Sequence, residues 1–443
     1  MSANRREFLQ SSLVAGAAAS SLLAAPAVRG QEKAKKYRTA LVGTGWWGMN
    51  ILGEAVASSE CQVVALCDVD ESQLKAAEEK LRPTTSDQPK RYGDFREMLD
   101  KEKPEICIVA TPDHWHPLVM IAAVKSGAHV YVEKPIGHTI REGRAMIKAA
   151  RDTGKMVQVG THRRVSPHNV SGIEFLKSGK AGKIGMVRAF VHYGGGPERP
   201  RPNEEPPAGL NWEMWCGPGP LRPYNPVMHP KGFRQCLDYA NGTLGDWGIH
   251  WMDQILMWTD EKFPKRVSSV GGRYIKGPAV NGPQGQTSDA PDCQVAQFEF
   301  ESFTAVWEHR QFAGNNAEKG ESVGCYFYGT NGTFHQGWKD GWKFYPTNAS
   351  GQVQSQPAQL HAPDDQNIKE LFADFLDAIK SKRRPVSDIE VAHRSTNMSL
   401  LGMLSLKLGR SVAWDGDKEV IVGDPEANRL LTRDYRKPWE YPT

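Results

Sequence analysis

The 443-residue chain has no C-x-x-C pair, and its seven cysteines (Cys61, Cys67, Cys107, Cys216, Cys236, Cys293, Cys325) are scattered. An odd number cannot all pair internally, so a closed disulfide framework is excluded and the cysteines read as mostly buried thiols. The chain also lacks a dense basic run: 55 Lys and Arg stand against 51 Asp and Glu, a formal charge of +4. That balance leaves no electrostatic footprint for nucleic acid and favours a small-molecule partner. Neither H-E-x-x-H nor G-x-S-x-G occurs, which removes the usual signatures of a zinc hydrolase and of a serine nucleophile. The longest Ala/Leu-rich run, Leu13 to Val28, is diluted by serines. It falls short of the roughly 20 apolar residues that cross a bilayer, so no stable membrane anchor is expected.

What precedes and follows that run gives it a meaning. Arg5-Arg6 and Phe8-Leu9 stand before it, and small residues around Ala25-Pro26-Ala27 end it. Residues 1–30 therefore resemble a twin-arginine export signal, and the expected location is periplasmic. The remaining length suits two folded domains, and 43 Gly with 29 Pro imply long, turn-rich connections.

From Tyr37 to Gly160 short β-branched runs (YRTALVG, CQVVALCD, EICIVATP, HVYVEKP, MVQVG) alternate with helical stretches. This rhythm predicts a parallel, doubly wound α/β sheet over 37–160. Thr139 and Glu142 form a capping box for a helix that stops at Gly154. Residues 161–443 read as an α+β domain with a large, mostly antiparallel open sheet. Its helices are expected near Pro167–Lys177, Leu244–Trp258, Gln366–Ser381 and Ile389–Leu408, and its strands at KIGMVRAFVHYG, RVSSVGGRYI, CQVAQFEF, FTAVWEHRQF and GCYFYG. The Gly194–Pro230 loop carries Trp212, Trp215 and Tyr224 as its own apolar anchors. The tail after Val412 reads as mostly irregular.

Gly43, Gly45 and Gly48 form G-x-G-x-x-G (GTGWWG) between the first strand and its helix, and Asp68 ends the next strand twenty residues beyond Gly48. The first glycine permits the tight turn, the second lets backbone approach a pyrophosphate, and the third lets helix and strand pack closely. Asp68 can accept from a ribose 2′-OH and would repel a 2′-phosphate, so NAD is favoured over NADP. Thr44, Trp46 and Trp47 complete the loop; the indoles either flank the cofactor or, for Trp47, pack into the core. Glu133-Lys134-Pro135 ends the HVYVEKP strand, where strand carboxyl ends face the ligand crevice. Asp246 and His250 are spaced i, i+4 on the 244–258 helix. They either share a face toward one ligand or serve as a cap and a core histidine.

Together with the Thr111-Pro112 turn followed by His116, these motifs resemble the Gfo/Idh/MocA family of oxidoreductases (glucose-fructose oxidoreductase, inositol dehydrogenase and relatives). The resemblance implies a Rossmann domain followed by an α/β domain, tightly bound nicotinamide, and oxidation or reduction of sugars and cyclic polyols. It also implies a homo-oligomer, dimer or tetramer, through the C-terminal sheet. It places Lys134, Asp246 and His250 at catalytic positions and Thr111, Pro112, His116 and Glu133 beside the cofactor. Hydride transfer needs a base and a positive donor at the reacting oxygen. His250 suits the first task, with Asp246 as its support, and Lys134 suits the second, lysine as base being the variant. His162, Arg163, Arg164 and Arg234 are candidate substrate contacts, with His229 beside Arg234 on the same loop. Asp113, His114 and His116 are weighed as metal ligands, and no metal is expected. An exported nicotinamide enzyme meets little free NAD, so a retained cofactor is expected. Either a sugar oxidoreductase or a redox-neutral, NAD-dependent glycosidase satisfies that constraint, and a sugar-binding protein without activity is the alternative of another class.

Overall fold

A computed structural model describes residues 35–192, 200–275, 279–314, 320–348, 350–361 and 366–443. The export-signal stretch 1–30 lies outside the described residues.

The first strand, β1 (Tyr37–Val42), turns at Gly43 into α1 (Trp46–Ala57). There follow β2 (Cys61–Cys67), α2 (Glu71–Leu81), β3 (Lys90–Tyr92), α3 (Phe95–Glu102), β4 (Ile106–Val109), α4 (His116–Lys125), β5 (His129–Val132), α5 (Ile140–Thr153) and β6 (Val157–Val159). The six strands form one parallel sheet in the order β3-β2-β1-β4-β5-β6. Its central strands are buried on both faces, as parallel strands covered by helices must be. The order reverses between β1 and β4, which opens a crevice at their carboxyl ends. The capping box holds: the Glu142 carboxylate accepts from the Thr139 amide at 2.8 Å, and α5 ends at Gly154 with φ of 65°.

The rest of the chain begins with α6 (Pro167–Lys177) and β7 (Ile184–His192), then a two-stranded ribbon of β8 (Arg201–Pro202) and β10 (Gly285–Gln286) with α7 (Trp212–Cys216) between them in sequence. Helix α8 (Ile249–Trp258) leads to β9 (Arg266–Gly272), β11 (Cys293–Glu299), β12 (Thr304–Arg310), β13 (Val323–Gly329), β14 (Gly332–Gly337), β15 (Trp342–Pro346) and β16 (Gln354–Gln356). Helices α9 (Ile368–Ser381) and α10 (Ile389–Leu408) precede β17 (Val412–Asp415), β18 (Val420–Ile421) and α11 (Pro425–Arg429). The ten-stranded sheet runs β16-β15-β14-β13-β7-β12-β11-β9-β17-β18 and is antiparallel except for β7 against β12. The expected irregular tail thus contributes two edge strands and a short helix. Strands β14 to β16, Ser- and Gln-bearing or aromatic without clean alternation, are additions to the predicted set.

Alternation along these strands sends Ala296, Phe298, Ala305, Trp307 and Phe327 inward against Trp251 and Ile255 of α8 and Leu401 of α10. The opposite face is open and carries Met186, Val270, Val295 and Tyr345 at 40 to 70% exposure. Helix α9 packs elsewhere: its Leu371, Phe372, Phe375 and Leu376 join Leu41, Ile51 and Tyr131 in the core beneath the parallel sheet. Trp212, Trp215 and Tyr224 do anchor the long loop, in a cluster with Met228, Phe233 and Tyr239.

Candidate active site

A cavity of about 420 Å³ opens at the carboxyl ends of the parallel strands. The glycine turn forms one end of it. Gly43 sits at φ of 91°, and a Cβ there would lie 2.5 Å from the Ala110 carbonyl oxygen; one on Gly48 would lie 2.1 Å from the Gly43 oxygen. Gly45 differs, because a Cβ there would meet nothing within 4 Å. It is also the N-cap of α1 and supplies no capping side chain, so the first amides of α1 remain available to an anion. The Asp68 carboxylate accepts from the Thr44 amide at 2.7 Å, the Thr44 hydroxyl at 3.0 Å and the Asp70 amide at 3.0 Å. Open space over a helix N-terminus, with a fixed carboxylate at the end of β2, fits a dinucleotide's pyrophosphate and ribose. Trp46 is 55% exposed with Lys231 over its ring at 5.4 Å. Trp47 is half-buried and donates its indole N–H to Glu133.

The chemical end lies where β5 meets the 244–258 segment. Lys134 Nζ donates to Asp246 Oδ1 and to the Asp246 carbonyl oxygen, both at 2.8 Å, and Arg234 Nε approaches Oδ1 at 3.5 Å. Burial alone would raise the Asp246 carboxyl, but the charges of Lys134 and Arg234 outweigh it and hold the group below the ordinary carboxylate range. His250 is buried beside Trp338, His162 and Trp247, at ring-centroid distances of 5.1, 5.4 and 6.1 Å. Burial first, then the positive charge of Lys134, pushes its pKa well below 6.5, so the ring is neutral.

The i, i+4 reading of Asp246 and His250 needs a correction. Leu244–Gly248 form a π-helical turn, and α8 starts only at Ile249. Both side chains line the cavity, yet among the described residues no hydrogen bond joins them. Asp246 holds Lys134 rather than orienting the histidine.

The other expected residues separate clearly. Thr111, Pro112, His116 and Glu133 line the cavity with the glycine loop, and Arg234 and His229 reach it from the loop before the π turn. His116 is wedged between the carbonyl oxygens of Pro135 at 2.7 Å and Thr111 at 2.8 Å, and burial lowers its pKa to about 4. As a neutral ring with a single N–H it donates to only one of these two oxygens, and it lies packed between the Thr111 and Lys134 loops. Glu133 is pushed up to about 7 by burial. His162 stands behind His250 rather than in the cavity wall. Arg163 is turned away from the cavity: it is 2% exposed, packed on Trp251 and Trp338, and donates to Asn169 Oδ1 at 2.8 Å. Arg164 pairs with Asp253 at 2.8 Å inside the core. Arg163, buried, and Arg164, largely buried, are structural cations that do not line the cavity.

Asp113, weighed only as a metal ligand, faces the cavity, where burial and then the Asp246 charge raise its carboxyl to about 7. Its place after β4, at a strand's carboxyl end, was the available signal. His114 does not join it, since its Nε2 lies 2.9 Å from the Trp215 carbonyl oxygen. No cluster of three or more His, Cys, Asp or Glu side chains suited to a metal occurs among the described residues. Trp338, which follows β14, carried no sequence signal at all.

Residues 37–161 match the family model for the NAD-binding Rossmann fold of Gfo/Idh/MocA oxidoreductases, and residues 189–441 match the model for their C-terminal alpha/beta domain. A glycosyl hydrolase family 109 protein from Stenotrophomonas maltophilia is 28% identical over 262 residues, 56% of this chain and 57% of its own length. Inositol 2-dehydrogenase from Salmonella typhimurium is 30% identical over 158 residues, 35% of this chain and 46% of its own. The chain thus spans about half the length of these curated relatives. Among solved structures, WlbA dehydrogenase from Bordetella pertussis, in complex with NADH and UDP-GlcNAcA, superposes with a TM-score of 0.63 at 17% identity, over 86% of this chain and 99% of that one. Aldose-aldose oxidoreductase from Caulobacter crescentus, complexed with glycerol, gives 0.63 at 19%, over 86% and 100%. The likeness at that identity is one of fold, and with both family models matched across most of its length the chain belongs to the Gfo/Idh/MocA oxidoreductase family.

Proposed function

We propose that this protein is an exported, periplasmic oxidoreductase that moves a hydride between a sugar or cyclic polyol and tightly bound NAD(H). The observation that carries the reading is the junction of Lys134, Asp246 and His250 in the same cavity as the glycine loop and Asp68. The names of the relatives, an inositol dehydrogenase among them, support the substrate class.

Bound nicotinamide would supply the hydride acceptor or donor; the chain's own residues supply the rest. Asp246 fixes two of the Lys134 donors and leaves the third for a substrate oxygen, where a positive donor steadies charge as the carbonyl forms. His250, kept neutral, is in the form that takes a hydroxyl proton. Asp113 offers a second cavity-facing carboxyl for a neighbouring hydroxyl. Asp68, already fixed by Thr44, accepts from a ribose and repels a 2′-phosphate, which supports NAD over NADP. Lys231 over Trp46, and His229 at 3.7 Å from Asp70, bring the second domain's loop across the glycine turn and support a retained cofactor. The open apolar face bearing Met186, Val270, Val295 and Tyr345 supports a homo-oligomer through the large sheet.

The family 109 relative favours a second reading, a glycosidase that oxidises, eliminates, adds water and re-reduces with no net redox change. Purification of the exported form without added cofactor, followed by nucleotide release and a panel of sugars and glycosides, decides between them. Co-purified NAD(H) whose reduced band changes with free sugars supports the oxidoreductase; glycoside cleavage at constant NADH supports the glycosidase. Active protein that carries no nucleotide refutes both.

A further inference from the structure

A second cavity, of about 440 Å³, shares no lining residue with the nucleotide cavity. It lies between α5, α10, the turn at Lys262–Pro264 and the hairpin of β17 and β18. Its floor is already neutralised. Arg144 donates to both oxygens of Glu419, at 3.0 and 2.6 Å, and approaches Glu390 at 3.2 Å, while His393 lies 2.7 Å from Glu419. The cations left over are those that face an incoming molecule. Arg141 and Lys262 have no ion-pair partner among the described residues, and Arg394 sits 3.6 Å from a Glu390 that Arg144 already engages.

One lining residue that is more than nine-tenths buried also holds an unsatisfied polar atom: Asn397, 6% exposed, has an unpartnered Oδ1. Trp414, 4% exposed, lines the cavity beside it. Phe263, Met398 and Leu401 supply an apolar wall. The missing partner therefore has a negative group for guanidinium forks, a donor for Asn397 and a partly apolar body to lie against Phe263 and Trp414. A carboxylate matches the planar fork of arginine, and a hydroxyl both donates and accepts. The volume lies within the range of small-molecule sites, about 300 to 1,000 Å³.

We infer that this cavity binds a hydroxylated organic acid of monosaccharide size, a sugar acid, at a site separate from the reaction. The inference stands on the cavity's own residues and does not depend on the proposed activity. The test is isothermal titration of the full chain with D-glucuronate, with D-glucose and inorganic phosphate as controls, on wild type, Arg141→Ala, Arg394→Ala and Lys134→Met. Glucuronate is expected to bind wild type and Lys134→Met alike, while glucose, which lacks the carboxylate, shows no binding that the arginine variants alter. Each arginine variant should weaken it roughly tenfold, as loss of one charge-assisted hydrogen bond does. Both arginines are only partly buried, so unchanged melting temperatures should accompany the loss. The proposal is overturned if glucuronate gives no heat, if the arginine variants bind it normally, if Lys134→Met abolishes it, or if phosphate binds as tightly.

Discussion

Replacing Lys134 with methionine removes one ammonium and leaves the Asp246 carboxylate facing Arg234 alone, at 3.5 Å. The lost interaction is a charge-assisted hydrogen bond at 2.8 Å between side chains that are 15 and 18% exposed, worth about 1.5–3 kcal/mol. Methionine keeps most of the volume, so no large cavity adds to that figure. If Lys134 also steadies the substrate oxygen, turnover should fall by roughly 10²–10³. The two effects separate in a double variant. Lys134→Met with Asp246→Asn removes both members of the pair and leaves only the partly exposed Arg234 without its carboxylate, so the loss in the double variant should fall short of the sum of the single losses by about 1 kcal/mol or more. Its turnover should stay as low as that of Lys134→Met. Urea unfolding read by tryptophan fluorescence gives the first quantity, and steady-state kcat and KM give the second. A turnover loss under about tenfold in Lys134→Met, or strictly additive stabilities, would refute the assignment of Asp246 as the residue that holds a catalytic lysine.

Three further outcomes follow from the same geometry. Gly43→Ala should lose about 1–3 kcal/mol, because the substitution meets both a left-handed φ and the Ala110 carbonyl; Gly45→Ala should keep its urea midpoint yet lose NAD(H) affinity by titration, since its methyl enters only the space kept for the cofactor. Asp113 rises from 3.8 to about 7 on folding, so the native state holds the proton more tightly. Its contribution is intact below about pH 4 and lost as pH rises toward 7, by about 4 kcal/mol; Asp113→Asn should remove that part of the decline in unfolding free energy, and an unchanged slope would contradict the burial argument. Arg163→Ala should destabilise by roughly 3 kcal/mol or more, through lost packing against Trp251 and Trp338, while the Kd for NAD(H) stays at the wild-type value; a selective loss of substrate binding would return Arg163 to the crevice.

The parts legible in the sequence were those set by local rules. Parallel strands buried on both faces write continuous apolar runs, which is why β1, β2, β4, β5 and β6 could be placed and the three-residue β3, with two exposed positions, could not. The glycine turn and the lysine after β5 were legible because strand order alone sends both to one crevice. What failed was any inference needing the path of a single turn. Asp246 and His250 have helical spacing, yet the Leu244–Gly248 segment is wound as a π turn. Such single-turn bulges collect at functional sites, and no pattern of apolar residues distinguishes one from an ordinary turn.

Arg163 and Arg164 show the same limit from the other side. Two charged residues directly after a strand of the parallel sheet read as crevice contacts because ligands gather at strand carboxyl ends, but here each has a buried counterpart far along the chain: Trp251 and Trp338 for one, Asp253 for the other. Those partners come from α8 and from the turn after β14, and only the closed tertiary structure brings them together. The consequence for the site is physical. The buried arginines and their aromatic partners form a rigid backing behind His250, with Trp338 in contact with both His250 and Arg163. The histidine's neutrality and its position thus depend on the residues packed behind and beside it, and a change at Trp338, which also lines the cavity, should move the pH profile of turnover even though it touches no titrating oxygen.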